Sequence, residues 1–357
     1  MESRYYSKIK NQGYYLIAEI GVNYYEIAEK ENLSYLDAAK LMIRRAAESG
    51  ADAVKFQTYK AESLAMKDSP GSWDRNDISV ETQFELFQLY DKLNEDDYQQ
   101  LSVYAAQTGI EFISTPFDIE SAEYLNKFMQ VYKISSSDIS NIPLITCIAK
   151  KNKPIILSVG ASNMAEIDAA VSLIQKYNGK QLTLLHCVLE YPTPYEHANL
   201  LKIIALKERY PQMIIGYSDH TKPDACMDVL KTAYLLGAQV IEKHFTLDKS
   251  IKKKNDHFHS MDCTDLATAK KGIDLITLLK GSAELKCLES EIETRNSVRR
   301  SAVAKVDIRK DEVLTEDMII FKRPATGISP LEITKLIGKK AIIDIAADTL
   351  LRKEQFV

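Results

Sequence analysis

The sequence contains no hydrophobic run approaching the ~20 residues that a membrane-spanning helix requires, and its first stretch, MESRYYSKIKNQGYY, is polar and lacks the apolar core of a secretory leader. These absences set the expectation of a cytoplasmic protein with no membrane association. An excess of charge of either sign is also missing: 46 Lys+Arg against 50 Asp+Glu give a net charge of -4, and the charges are interspersed. No broad basic face for nucleic acid or anionic lipid is therefore expected, and small molecules are the expected partners. Cysteine is sparse, and the five present (Cys147, Cys187, Cys226, Cys263, Cys287) are odd in number, scattered and never spaced as C-x-x-C. Reduced thiols fit that pattern better than a disulfide framework.

What is present is a regular alternation. Short apolar, β-branched runs recur at 15–21, 53–58, 111–117, 131–135, 154–160, 182–188, 214–220 and 240–246, eight in all, separated by stretches with helical spacing. Two of those stretches end in Ser-Gly or Thr-Gly, a helix-stop signal. The pattern predicts an α/β fold, a (β/α)8 TIM barrel. An open doubly wound sheet also alternates, but no G-x-G-x-x-G follows the first strand. Polar residues also cluster at the strand ends: Lys55 and Gln57, Thr115, Lys133 and Ser136, Ser158, His186, Ser218 and His220, and His244. In a barrel those ends converge on one mouth.

Beyond about Leu279 the texture changes. A charged segment, 286–298, reads as a linker between a barrel domain at 1–285 and a small β-rich domain at 299–357. Within the latter, residues 304–319 resemble 341–356, with Ala, Asp-Ile, Asp and Leu recurring at an offset of 37, as two copies of one unit would.

Chemistry is indicated at two places. His220 closes the seventh predicted strand and His244 the eighth, so neighbouring strands bring both imidazoles to one side of the mouth as ligands for a divalent metal. The stretch NDHFHSMD offers a competing His-x-His pair, but His257 and His259 follow a loop, not a strand, and read as loop residues near the substrate. Lys55 and Lys133 lie within apolar strands, where an unpaired ammonium is costly, so each is expected to face an anion. With Thr115, Ser136, Ser158 and Ser218 as hydroxyl donors, they suggest a phosphate and carboxylate cradle.

The strings YYLIAEIGVN, GADAVKFQTYKAE, GIEFISTPFD, VYKISSSD, KPIILSVGAS, LLHCVLEYPTPYE, IIGYSDHT and VIEKHFTLD, followed by RRSAVAKVDI and FKRPATGISP, resemble the sialic acid (nonulosonate) synthases over nearly the whole chain. The resemblance implies a TIM barrel followed by a small β-rich, β-clip antifreeze-like (SAF) domain. It also implies condensation of phosphoenolpyruvate with an open-chain N-acetylated hexose, releasing phosphate. His220 and His244 match metal ligands, usually of Mn2+, with Mg2+ or Co2+ as alternatives. Lys55, Thr115, Lys133, Ser136, Ser158 and Ser218 match positions that hold phosphoenolpyruvate. Gln57, Tyr191 and Asp256 match residues near the sugar, as does the Asp138 position, where the family more often has Glu. Arg323 matches an arginine inserted into the partner subunit's site, which implies a domain-swapped homodimer. Glu242 is a candidate for orienting water.

The chain departs from the family mainly on the sugar side. Tyr25 and Glu26 stand in a longer segment after the first strand, and are candidate catalytic residues there. Leu189 replaces an asparagine expected near phosphoenolpyruvate, and Lys252, Lys253 and Lys254 occupy a loop that usually contains Pro-Gly. The alternatives weighed are a catalytically silent sugar-binding scaffold and a synthase acting on a sugar phosphate, for which the lysine run would supply a second anion site.

Overall fold

The computed structural model describes residues 3–71, 80–251 and 256–357, so the Lys252–Lys254 run lies outside the described residues. The chain divides into two compact units, residues 1–281 and 282–357.

In the first unit eight parallel strands form one sheet: β1 (Tyr15–Gly21), β2 (Ala53–Thr58), β3 (Glu111–Pro116), β4 (Tyr132–Ile134), β5 (Ile155–Ser158), β6 (Leu182–Cys187), β7 (Ile214–Asp219) and β8 (Val240–His244). The order β3-β2-β1-β8-β7-β6-β5-β4, with β1 bonded to both β2 and β8, curls the sheet into a nearly closed barrel. The predicted barrel is therefore the observed one. Helices return the chain between strands, and the Ser-Gly and Thr-Gly stops work as expected: Gly50 and Gly109 take φ of +96° and +77°, a region that side chains with a Cβ avoid.

Two apolar layers follow from the strand period of two. Outward residues such as Leu16, Val54, Leu184 and Ile241 pack beneath the helices. Inward residues fill the barrel: Tyr15, Ile17, Ala53, Ile113, Val131, Ile156, Leu185, Ile214 and Val240. The polar N-terminal stretch contributes more than its composition suggests. Helix α1 (Arg4–Gln12), capped by Ser3, places Tyr5 and Ile9 against this inner core, and the Tyr5 hydroxyl lies 2.6 Å from Thr183 Oγ1. Two further helices, α2 (Tyr24–Glu31) and α3 (Tyr35–Glu48), connect β1 to β2.

In the second unit β9 (Ser301–Ala304) pairs antiparallel with β10 (Ile319–Lys322). The repeat seen in the sequence is a repeat of hydrogen bonds. Ile308 and Ile345, equivalent at the offset of 37, exchange N–H···O bonds of 2.8 Å each. Asp311 N–H donates to Ala341 O at 2.7 Å while Asp348 N–H donates to Ala304 O at 2.8 Å, the same bond with the copies exchanged. Both aspartates have left-handed backbones, φ 67° and 65°. The segment read as a linker is exposed, but it is not irregular: it carries a helix at Ile292–Val298. With no apolar stripe to bury, that helix gives no periodic signal.

Candidate active site at the barrel mouth

On several strands the inward alternation that begins apolar at the closed end finishes polar at the mouth. On β2 Lys55 and Gln57 follow Ala53; on β8 Glu242 and His244 follow Val240; on β7 Ser218 precedes His220. These side chains line a cavity of about 50 Å³ together with Glu19, Thr115, Lys133, Ser136, Ser158, Cys187, Leu189 and Tyr191. All six residues expected to hold an anion (Lys55, Thr115, Lys133, Ser136, Ser158, Ser218) are among them.

Charge at the cavity floor is balanced internally. Lys55 Nζ lies 2.6 Å from Glu19 Oε2 and 3.8 Å from Glu242 Oε2, while Lys133 Nζ lies 3.7 Å from Glu242 Oε1. Ser218 donates to Glu242 Oε1 at 2.8 Å, Lys133 to Ser158 Oγ at 2.6 Å and Lys55 to Thr115 Oγ1 at 3.2 Å. Burial pushes Lys133 below the usual lysine range, with Glu242 opposing. Burial acts on Lys55 in the same sense, but Glu19 and Glu242 outweigh it and carry its pKa up. Burial raises Glu19, whereas at Glu242 burial is overcome by Lys133, Lys55 and Ser218, and its pKa falls. Two ammonium and two carboxylate groups, all buried, thus hold one another at the cavity floor. An entering anion can take over either lysine, and the serine and threonine hydroxyls can turn towards it. Ser136 is set for this: its oxygen accepts from Gly160 N–H at 2.8 Å, leaving its proton to donate.

Beside this cradle stand imidazoles. The rings of His220 and His244 are 5.4 Å apart, and Tyr191 covers His220 at 4.1 Å. His220 Nδ1 lies 2.7 Å from Val188 O, a carbonyl, so Nδ1 carries the proton and Nε2 keeps its lone pair. Burial holds His220 down to about 4 and His244 well below the usual histidine range, so both are neutral, the form that binds metal. His244 Nδ1 is buried without a hydrogen-bond partner. His244, Asp256 and His259 present ligand atoms within 4.8 Å of one another. This nitrogen and carboxylate set, with an unpartnered buried imidazole nitrogen, fits a divalent transition metal. His259 thus faces the cluster, unlike the loop residue read from the sequence.

The remaining expected residues divide. Gln57 donates to Glu19 Oε1 at 3.1 Å at the cavity wall. Asp256 lies 3.4 Å from His244 Nδ1, and burial together with Glu19 and Glu26 raises its pKa to about 7. Asp138 is buried away from the lining and accepts from Asn141 Nδ2 at 2.9 Å. Tyr25 is turned into aromatic packing, stacked on Tyr35 at 5.1 Å and edge-on to Tyr90. Glu26 accepts from the Tyr90 hydroxyl at 2.9 Å and faces His257 Nε2 at 3.3 Å. Neither Tyr25 nor Glu26 lines the cavity. Arg323 belongs to the second unit, where it is exposed. Sequence reading passed over Glu19, although it gives the same signal as Lys55, a charge inside an apolar strand. Leu189 stands at the cavity wall where the resemblance expects an asparagine.

Comparison with known proteins gives a consistent result. Residues 42–284 match the NeuB family, and residues 299–357 match the SAF domain. The chain is 38% identical to an N,N'-diacetyllegionaminic acid synthase of Campylobacter jejuni, over 95% of its length and 98% of that protein's. It is 31% identical to the N-acetylneuraminate-9-phosphate synthase of Homo sapiens, over 95% and 92% of the two chains. Among solved structures, an N-acetylneuraminic acid (sialic acid) synthetase of Leptospira borgpetersenii in complex with citrate superposes with a TM-score of 0.67 at 31% identity, covering 80% of this chain and 92% of that one.

Proposed function

Because the chain belongs to the NeuB family and carries a SAF domain at its C-terminal end, we propose that it is a nonulosonic acid synthase that joins phosphoenolpyruvate to an open-chain N-acetylated hexose and releases phosphate. The observation that carries this reading is the pairing, in one cavity, of two buried lysines ringed by hydroxyls with a cluster of neutral imidazoles. One half suits a doubly charged phospho-carboxylate, the other an electrophilic metal.

Lys55 and Lys133 bind the phosphate and carboxylate of phosphoenolpyruvate, exchanging Glu19 and Glu242 for the substrate's oxygens. Thr115, Ser136, Ser158 and Ser218 fix its orientation by hydrogen bonds, so that C3 faces the imidazole side. His220 and His244 would hold the metal, Mn2+ in this proposal, with Mg2+ or Co2+ as alternatives; when bound it polarises the sugar aldehyde. Gln57 and Tyr191 hold the sugar, with Asp256 beside them at 3.4 Å from His244. A bond forms between C3 and the aldehyde carbon, water adds at C2, and the C–O bond to phosphate breaks. Glu242, bonded to Ser218 beside both lysines, is placed to orient that water. The relatives named as legionaminic acid synthases share more identity with this chain than the human 9-phosphate synthase does, which favours a 6-deoxy-diacetamido hexose over N-acetylmannosamine. Arg323 of a second copy completes the site in a domain-swapped homodimer, and the enzyme works in the cytoplasm.

The test is incubation with Mn2+, phosphoenolpyruvate and a panel of hexoses: N-acetylmannosamine, its phosphate, and 6-deoxy-diacetamido sugars. The expected outcome is stoichiometric phosphate and a product mass equal to hexose plus pyruvate, greatest with a diacetamido sugar. Phosphate release from none of them rejects the reading. Release with the phosphorylated hexose alone transfers it to a sugar-phosphate synthase.

A further inference from the structure

We propose that His259 is a metal ligand of this chain, forming with His244 and Asp256 a two-imidazole, one-carboxylate donor set beside His220. The spacing comes first. Asp256 offers Oδ2 at 3.4 Å from His244 Nδ1 and Oδ1 at 3.6 Å from His259 Nε2. With metal–ligand bonds of about 2.0–2.2 Å, adjacent donors around a first-row ion stand about 3.0–3.5 Å apart. Small side-chain rotations therefore close the set.

Unmet bonding comes second. His259 is fully buried, and both its ring nitrogens lack a hydrogen-bond partner, as does His244 Nδ1. Two buried imidazoles side by side with three unsatisfied nitrogens are costly in a folded chain, and an ion between them removes much of that cost.

The backbone shows why the ring points there. Residues 257–259 form a 3-10 turn, in which side chains two apart diverge. His257 is held on one side, with Nδ1 2.6 Å from Thr246 Oγ1 and Nε2 3.3 Å from Glu26 Oε2. Just beyond the turn, Met261 N–H donates to His244 O at 2.8 Å and Thr246 N–H to Met261 O at 3.0 Å, fastening the loop to the end of β8. With His257 fixed and the loop fastened, His259 is delivered to His244, their rings 5.1 Å apart. Such a set favours Mn2+, Fe2+, Co2+ or Zn2+ over Mg2+, which prefers oxygen ligands and retains water.

The experiment uses the full-length protein, stripped with chelator and titrated with Mn2+ alone. His259→Ala is expected to weaken Mn2+ binding by about tenfold or more, since even residues that only orient ligands change affinity by 10–100-fold. The same variant is expected to lose one nitrogen coupling from the electron paramagnetic resonance of the bound ion, while His197→Ala, at an exposed position, changes neither. Binding within twofold of the unaltered protein, with the same couplings, overturns the proposal. If the variant does not fold, the anomalous peak of Mn2+ in crystals of the unaltered protein decides. A peak within about 2.5 Å of a His259 ring nitrogen supports the assignment, and a peak held by His220 and His244 alone overturns it. These readouts need no sugar or phosphoenolpyruvate, so failure of the proposed reaction leaves them unaffected.

Discussion

Glu19, Lys55, Glu242 and Lys133 form one buried chain of alternating charge across the cavity floor, and the buried imidazoles of His220, His244 and His259 stand beside it in neutral form. Burial lowers the pKa of His186 and His244, of His220 to about 4 and of His259 to about 2. In the unfolded chain each histidine takes a proton near pH 6.5. Between that value and the folded pKa, the unfolded state binds protons that the folded state refuses, so stability falls as pH falls, by about 1.4 kcal/mol per pH unit for each such proton. Asp256, raised to about 7, acts in the opposite sense, as do the carboxyls of Glu19, Glu111 and Asp138, which burial also raises, and these offset part of that loss. The metal-stripped protein is therefore expected to have a lower urea midpoint at pH 5 than at pH 7, and His220→Gln to reduce the difference. A midpoint that rises towards pH 5 would contradict this. At this scale the sequence was legible at Lys55 and Lys133, where a charge interrupts an apolar strand, while Glu19 carries the same signal on β1 and was not read. His259 was not, because a residue on a loop has no strand register to aim it.

Among the elements, β7 shows how tightly the barrel interior constrains a strand. A Cβ added at Gly216 would lie 2.3 Å from Val240 O and 2.5 Å from Leu185 Cδ2, so β6 and β8 meet there only if β7 carries no side chain. Gly216→Ala is expected to destabilise the fold by about 1–3 kcal/mol, the usual range for overpacking a filled core. Gly179→Ala, with nothing within 4 Å, should change little. Urea unfolding of the two variants provides the comparison, and equal midpoints would show that the barrel yields at β7. Helix α1 illustrates the reverse case. Its sequence reads as a polar stretch, and only the inner core it meets reveals that Tyr5 and Ile9 are buried. Three aromatic or apolar side chains in nine residues, two of them adjacent, are too few for periodicity to register.

At the scale of the molecule, the second unit is built on exchange of equivalent bonds between two copies of one segment, and the proposed dimer repeats such an exchange between subunits. The swap makes a complementation test available. Arg323→Ala alone is expected to impair use of the sugar while metal binding is unchanged, and His244→Ala alone to abolish turnover. Mixed and allowed to exchange subunits, the two should regain activity, because each hybrid dimer has one barrel with intact ligands that receives Arg323 from its partner. A mixture no more active than its components would contradict the swap.

The sequence by itself determined the eight strands, the helical returns and the polar strand ends, because strand period and ordered motifs are local properties written in consecutive residues. It also indicated that Lys55, Lys133, His220 and His244 lie at strand ends facing the mouth, since barrel closure converts position along a strand into position in space, but His186, read with them, turns away and lies 2.8 Å from Ala198 O. Only the tertiary structure decided the placement of Glu19, Tyr25, Glu26 and His259. Tyr25 follows a strand as the site residues do, yet its ring is taken by Tyr35 and Tyr90. His257 and His259 are chemically identical and two residues apart, yet one is bonded to Thr246 and Glu26 while the other faces His244. The direction of a loop side chain depends on what the rest of the chain brings against it, and no local pattern of residues records that.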